Sequence, residues 1–205
     1  TYTSLLEDVR RYLERGFSEE SDPIVFEQLP HLVTLAERRI SRELKVEGFI
    51  RAVETNLIPG VSVYEKPDRW RTTVSMTVDG KPIFGRVYEF CKAYWPDDTE
   101  TGSPEFYTEY DYWHWMITPT PATEQTLEIL YYEQPRFLDD EFQTNFLTEY
   151  APDLLLYATL LEAAPFLKKD ERIQTWQQMY DRAAQAFDGE DLKRILDRTA
   201  NRSET

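Results

Sequence analysis

Apolar residues recur at helical spacing near the start of the chain and predict a first helix. Its apolar face combines Leu5, Leu6, Val9, Tyr12 and Leu13. Ser4 and Glu7 have the spacing of a capping box, and Thr3 is the alternative cap. Gly16 is a natural stop for this helix, and the polar residues 17–23 predict a loop.

A second helix is predicted from about Pro30 to Lys45. An apolar residue recurs there every four positions, at Leu32, Ala36, Ile40 and Leu44. The remaining positions are rich in arginine and glutamate. The arginines could bind phosphate, but a solvated, ion-paired helix face is the more common use of such residues.

The pattern changes after Val46 to short runs of Thr, Val, Tyr, Phe and Trp broken by Pro and Gly, which predicts β structure over residues 49–133. Asp79-Gly80 predicts a hairpin turn. Residues 86–94 predict a short helix, and residues 97–104 an exposed acidic loop. Strands are expected at residues 61–64, 70–78, 105–111, 112–118 and 125–133.

Helical patterns return after residue 143. Thr144 or Asn145 can cap a short helix that ends before Pro152, and Pro152 suits the first turn of the next helix. Residues 153–164 are apolar nearly all round, which predicts a helix buried on most sides. Pro165 is expected to end or kink it.

A longer helix is predicted over about residues 169–187. Its seam, typical of packing on one neighbour, comprises Ile173, Trp176, Tyr180, Ala183 and Phe187. We expect Gly189 to stop this helix, residues 190–198 to form a last helix, and residues 199–205 to form a polar tail.

The order of these elements predicts an α+β protein. The N- and C-terminal helices are expected to form one discontinuous helical bundle, made of residues 1–48 and 140–198. An antiparallel β-rich region, residues 49–139, is inserted into this bundle in the chain.

Composition narrows the function classes. The 205 residues carry a net charge of −15, and residues 87–162 hold 16 acidic residues against only Lys92 and Arg136. Such a surface repels nucleic acid. Three interpretations stay open. The acidic segment is an ordinary solvated face, a surface that faces DNA or a basic partner and does not bind DNA, or an acidic mimic of DNA. Cys91 is the single cysteine, which fits a cytoplasmic origin, and the chain has no apolar run of about 18 residues for a membrane span.

The densest cluster of polar and aromatic residues is the run EFYTEYDYWHW at residues 105–115. Two carboxylates among aromatic rings can hydrolyse or bind glycosides, so a carbohydrate-active or carbohydrate-binding module is the alternative function. If the run is one or two strands, however, Glu109 and Asp111 share one face and Tyr110 and Tyr112 the other. That alternation is ordinary amphipathic β architecture.

Metal, cofactor and nucleophile chemistry has little support. Asp111, His114 and Glu109 lie too close together on a strand to surround one ion, so we interpret His114 as a surface histidine. Cys91, beside Phe90 on a predicted helix, is interpreted as a small buried apolar residue. The seven glycines form no phosphate-binding loop, and we expect no cofactor.

Several segments resemble a known family. They are TSLLEDVRRYLERG at residues 3–16, QLPHLVTLAERRISREL at 28–44, LIPG at 57–60, PDRW at 67–70, ITPTPATEQTLEILYYEQP at 117–135 and TNFLTEYAPDLLLYATLLEAAPFLKKDERIQTWQQMYDRAAQAF at 144–187. The chain thereby resembles the phage head-to-tail adaptor, or connector, family, and within it the tail tubular protein A of short-tailed phages. The resemblance covers about residues 1–187.

The resemblance implies a non-enzymatic virion protein of the phage neck, made in the host cytoplasm. Such subunits form a ring, commonly of twelve, that binds the portal protein and presents a docking surface to the nozzle or next tail protein. DNA would pass through the lumen without specific binding. We expect part of residues 87–162 to face this lumen or the lower ring surface, because like charge repels DNA.

Two sets of residues are candidate interface positions. Exposed loop residues Asp97, Asp98 and Glu100 are candidates for contact with the next tail component. The C-terminal segment, which could order on docking to the portal, contributes Asp191, Arg194, Arg198 and Arg202.

Overall fold

The computed structural model describes residues 1–13, 23–44, 47–166 and 171–203, and it divides into two units. Residues 1–48 and 135–205 form one unit, which we call the helical unit. Residues 49–134 form the other, the sheet unit. The predicted stop at Gly16 and most of the predicted loop at residues 17–23 lie outside the described residues.

Helices and strands together make an α+β protein, as the sequence predicted. In chain order the elements are α1 (Tyr2–Leu13), α2 (Pro23–Glu43), β1 (Ile50–Leu57), β2 (Val63–Glu65), β3 (Trp70–Val78), β4 (Lys81–Gly85), α3 (Tyr88–Tyr94), β5 (Thr101–Gly102), β6 (Phe106–Glu109), β7 (His114–Thr118), β8 (Thr120–Pro121), β9 (Gln125–Glu133), α4 (Phe146–Tyr150), α5 (Pro152–Ala163) and α6 (Ile173–Ser203). Short 3-10 turns lie at Glu47–Phe49 and Ala164–Phe166.

Helix α5 is the centre of the helical unit and contacts α1, α2, α4 and α6. Leucine and alanine positions around its whole circumference are buried, which confirms the prediction of a helix covered on most sides. Pro152 lies in its first turn, as predicted. Before it, the Asn145 side chain accepts a hydrogen bond from the N–H of Thr148, whose hydroxyl accepts one from the N–H of Asn145, so Asn145 is the cap of α4.

The first two helices begin differently from the prediction. At α1 the hydroxyl of Thr1 accepts a hydrogen bond from the N–H of Ser4, so the predicted Ser4–Glu7 capping box is wrong. Helix α2 starts at Pro23 instead of Pro30, and Pro30 lies inside it. An interior proline removes one helical hydrogen bond. Burial of Leu29 just before Pro30 extends the apolar stripe and offsets that cost.

Helix α6 runs without interruption to Ser203, so the predicted stop at Gly189 and the separate last helix are wrong. The polar tail over residues 199–205 stays a prediction. Glycine inside a helix costs only about 1 kcal/mol relative to alanine, which the helix-favouring residues around it can offset. The predicted seam is buried at Trp176, Tyr180, Ala183 and Phe187.

Seven strands form one sheet in the order β1-β9-β3-β4-β6-β7-β2, and β5 pairs with β8 separately. Asp79 and Gly80 adopt positive φ angles of 48° and 74°, so the predicted hairpin turn between β3 and β4 is confirmed. The β4–β6 and β5–β8 pairs are parallel, unlike the antiparallel sheet expected. The β4–β6 pair can be parallel because α3 forms the crossover connection between these two strands.

One apolar core is shared by both ends of the seven-stranded sheet. The cluster combines Met76 and Ile129 from β3 and β9 with Trp115 and Ile117 from β7. Side chains from strands this far apart in the sheet order meet because the sheet curls. The sheet unit therefore has an apolar interior of its own.

A buried carboxylate anchors the segment that follows the sheet unit. Glu37 of α2 is fully buried and accepts hydrogen bonds from the N–H of Leu138 at 3.1 Å and the side-chain amide of Asn145 at 2.6 Å. Burial raises the pKa of Glu37 from 4.5 to about 7, although both hydrogen bonds favour the charged form. The protonated carboxyl is therefore favoured in the folded protein at mildly acidic pH.

Glu37→Gln should change the pH dependence of stability. Between pH 4.5 and 7 the folded protein keeps a proton that the unfolded chain has lost, so the unfolding free energy falls as pH rises. Glutamine does not titrate, so the unfolding free energy of the variant lacks this fall. The difference in unfolding free energy, variant minus wild type, should therefore rise by up to about 3 kcal/mol across that range. Urea unfolding at a series of pH values measures the difference.

Glu27→Gln is the matched control, because Glu27 lies exposed on the same helix. Its stability relative to wild type should be constant over the same pH range. Parallel pH curves for Glu37→Gln and wild type would contradict the role given to this carboxylate.

Candidate functional site

The aromatic and acidic run that stands out in the sequence forms β6, a turn and β7. Residues 110–113 make the turn, which we call the aromatic tip. Tyr110, Tyr112 and Trp113 are 48%, 69% and 66% exposed there. The predicted alternation of faces through Glu109 and Asp111 is wrong, because β6 ends at Glu109 and the chain then turns.

Asp111 holds the tip in its turn. Its Oδ1 accepts hydrogen bonds from the backbone N–H groups of Trp113 and His114, both at 2.7 Å, and the Nδ1 of His114 lies 2.9 Å from each carboxylate oxygen. The contact with the His114 ring, followed by the backbone N–H groups, lowers the pKa of Asp111. Asp111 and His114 therefore shape the turn.

Lys66 fastens the tip to the core. Its side chain is buried, and Nζ lies 3.8 Å from the ring centre of Trp70. The ammonium forms an ion pair with the Glu109 carboxylate and donates a hydrogen bond to the Asp111 carbonyl at 2.9 Å. The backbone N–H of Lys66 also donates to the Trp113 carbonyl at 2.7 Å. We call these contacts the Lys66 latch.

The tryptophans of this region have opposite environments. Trp115 is fully buried and meets Trp70 edge to face, with ring centres 6.0 Å apart. Trp113, two residues earlier, is exposed. Sequence reasoning left open whether these rings pack in the core, and it missed Lys66 altogether, since a lone lysine beside a turn is exposed in most proteins.

Helix α3 and the acidic loop lie beside the tip. The rings of Tyr88 and Tyr110 approach to 6.0 Å between centres. Lys92 pairs with the Asp98 carboxylate at 2.5 Å, and this contact raises the pKa of Lys92. Asp97 accepts hydrogen bonds from the N–H and hydroxyl of Thr99, which lower its pKa. The loop is therefore ordered.

The predicted interface positions fall into two places. Asp97, Asp98 and Glu100 are exposed on the ordered acidic loop, and their contact role stays a prediction. The other four predicted positions belong to the C-terminal half of α6: Asp191, Arg194, Arg198 and Arg202. They are spaced by three or four residues, which is the spacing of one side of a helix. Their role in portal contact also stays a prediction.

The residues considered for other chemistry have structural partners. Glu109 pairs with Lys66 and Asp111 with His114, so two of the three carboxylates in the run at residues 105–115 already have partners. Cys91 is buried, as predicted. Among the described residues there is no cluster of three His, Cys, Asp or Glu side chains that could hold a metal ion. Nor does the described part of the chain contain a helix long and apolar enough to cross a membrane.

A rigid, solvent-exposed aromatic turn beside an ordered acidic loop is the kind of surface through which proteins contact other proteins. The family model of the SU10 adaptor protein matches residues 1–203, so the chain belongs to that phage head-to-tail adaptor family and is a structural virion component. No curated protein matches the chain significantly. The likeness to tail tubular protein A stays a prediction.

Lys66→Met should loosen the tip without unfolding the sheet unit. Methionine keeps most of the buried volume, and Glu109 is half exposed, so its carboxylate can be solvated when the ion pair is lost. We expect unfolding free energy to change by less than about 2 kcal/mol. The amide hydrogens of Trp113 and His114 should exchange at least about tenfold faster.

Hydrogen exchange measured by NMR at individual amides distinguishes loosening of the tip from a change in the unfolding free energy. Lys81→Met, at the exposed first residue of β4, is the control and should leave exchange at Trp113 and His114 unchanged. Unchanged exchange at these amides in Lys66→Met would show that the latch does not hold the tip.

Proposed function

We propose that the protein forms a ring that joins the portal to the nozzle or next tail protein and extends the DNA channel. The observation that carries the proposal is the match of the phage adaptor family to residues 1–203, which span both units. A ring of twelve subunits is the number that the resemblance to connector proteins implies. An adaptor of this kind works by contact surfaces alone.

The helical unit is the proposed ring-forming and portal-binding part. In this proposal the N- and C-terminal helices act as one bundle, which is supported by the contacts of α5 with α1, α2, α4 and α6. The C-terminal half of α6, with Asp191, Arg194, Arg198 and Arg202, is the proposed portal contact. The support for this assignment is that α6 continues as one helix to Ser203, so these four positions belong to the same helix as the seam residues.

Negative charge supports the proposed channel. Residues 87–162 carry 16 acidic residues against two basic ones, and Asp97, Asp98 and Glu100 are among those exposed. Carboxylates repel the phosphate backbone over a screening length of about 8 Å at physiological salt. A lumen lined by part of this segment would conduct DNA without binding it.

Mixing the purified protein with the portal protein from the same genome tests this function. Mass photometry and negative-stain images should show portal particles with about twelve added copies, the number taken from the connector resemblance. A protein that stays monomeric and ignores the portal would overturn the proposal.

The charge also predicts how the free subunit assembles. At −15 per chain, neighbouring subunits repel each other, and salt screens this repulsion. Without portal, the protein should therefore be mostly monomeric in low salt and associate more as salt is added, which mass photometry across a salt series would measure. Stable rings in dilute, low-salt buffer without portal would contradict the expected repulsion.

A further inference from the structure

We propose that the aromatic tip, together with Tyr88 of α3, docks an arginine- and lysine-rich segment of a different virion protein. The inference rests on the proposed adaptor function and adds the surface and the chemistry of its partner. Three properties of the described residues carry it: exposed rings, a rigid support and the sign of the surrounding charge.

Several large aromatic side chains are exposed next to one another at the tip. Tyr112 and Trp113 are each about two-thirds exposed, and their ring centres lie only 4.7 Å apart. Tyr110 continues the surface to Tyr88, whose ring centre is 6.0 Å away. Tyrosine and tryptophan are the residues most often found as energetic anchors at protein interfaces. The tip therefore has the composition of a contact surface.

The tip is also held rigid before any partner arrives. Asp111 accepts hydrogen bonds from two backbone N–H groups inside the turn, and Lys66 contacts Glu109, Asp111 and Trp113 from the core side. A protein that has already ordered its contact residues loses less entropy on binding. A turn needed only to connect two strands does not require a buried ammonium group to support it.

Charge decides which partner fits. Residues 88–113, which include α3, the acidic loop, β6 and the tip, carry one basic residue, Lys92, and seven exposed carboxylates: Glu89, Asp97, Asp98, Glu100, Glu105, Glu109 and Asp111. Asp98 contacts Lys92, Glu109 contacts Lys66 and Asp111 contacts His114, so the surface keeps an excess of carboxylates over cations. Among the cations there, Lys66 is buried against Glu109 and Lys92 is paired with Asp98. Arg86 already lies over the rings of Phe90 and Phe106, at 5.8 and 5.5 Å, which shows a guanidinium on aromatic rings of this region.

Aromatic faces and carboxylates attract the same groups, guanidinium and ammonium ions. Nucleic acid is repelled by this surface, and so is the same face of a second copy of the chain. A cationic segment of another protein is the occupant that both features favour.

The test uses the whole protein and two purified partners from the same genome, the portal protein and the next tail protein. Tyr112→Ala/Trp113→Ala should weaken binding to one of them by at least about tenfold in biolayer interferometry and leave binding to the other unchanged. Binding of wild type to the affected partner should weaken as salt is added. A synthetic peptide of alternating arginine and glycine should compete with it.

Tyr150→Ala is the matched control, since Tyr150 is 61% exposed on α4 of the helical unit. Lys66→Met is a second variant that keeps every tip ring. It should weaken the same binding less than the double variant does, because Lys66 acts only by positioning the tip. Circular dichroism and melting temperature should match wild type in the double variant, whose substitutions are at exposed positions.

The outcomes separate this inference from the adaptor function. If wild type and the double variant bind both partners equally, the tip inference is overturned and the adaptor function stands. If wild type binds neither partner, the adaptor function fails and the inference fails with it. Binding that does not depend on salt would overturn the cationic partner and indicate an apolar contact. Loss of self-association alone in the double variant would overturn it as well and indicate a contact between copies of this chain.

Discussion

One buried cation joins the two halves of the sheet to the aromatic tip. Lys66 lies against Trp70 of β3, forms an ion pair with Glu109 at the end of β6, and has its ammonium 5.8 Å from the ring centre of Trp115 of β7. These strands belong to opposite halves of the curled sheet. A buried ammonium without such partners would be costly, so the rings and the carboxylate must be in place together. The same contacts set the direction in which the aromatic tip faces.

Local patterns explain why much of the fold could be predicted. The α5 region is apolar on all sides, so only a central helix suits it, and Asp79-Gly80 adopts the positive φ angles that a tight hairpin requires. The other features depend on tertiary contacts. Leu29 is buried ahead of Pro30, so helix α2 starts earlier than a proline at its first position suggested, and α6 continues through Gly189. Neither effect is visible in a local window of sequence.

The candidate site, too, could be predicted from the sequence only in part. The run at residues 105–115 stands out by composition, yet its turn contains neither glycine nor proline, and the pattern predicts strands over 105–111 and 112–118 with no turn residues between them. The turn exists because the Asp111 side chain replaces strand hydrogen bonds, accepting from two backbone N–H groups. Lys66 is 43 residues from Glu109 in sequence, and only the sheet topology brings the two together. Sequence could identify the aromatic rings but not which of them faces solvent.

The most direct test of the account is a cryo-electron microscopy structure of the phage neck at side-chain resolution. We predict that this chain forms a ring between the portal and the next tail protein. Tyr112 and Trp113 should be covered by arginine or lysine side chains of a different virion protein, with Lys66 still paired to Glu109 behind them. A neck in which this chain is absent, or in which the aromatic tip faces solvent in every subunit, would contradict the account.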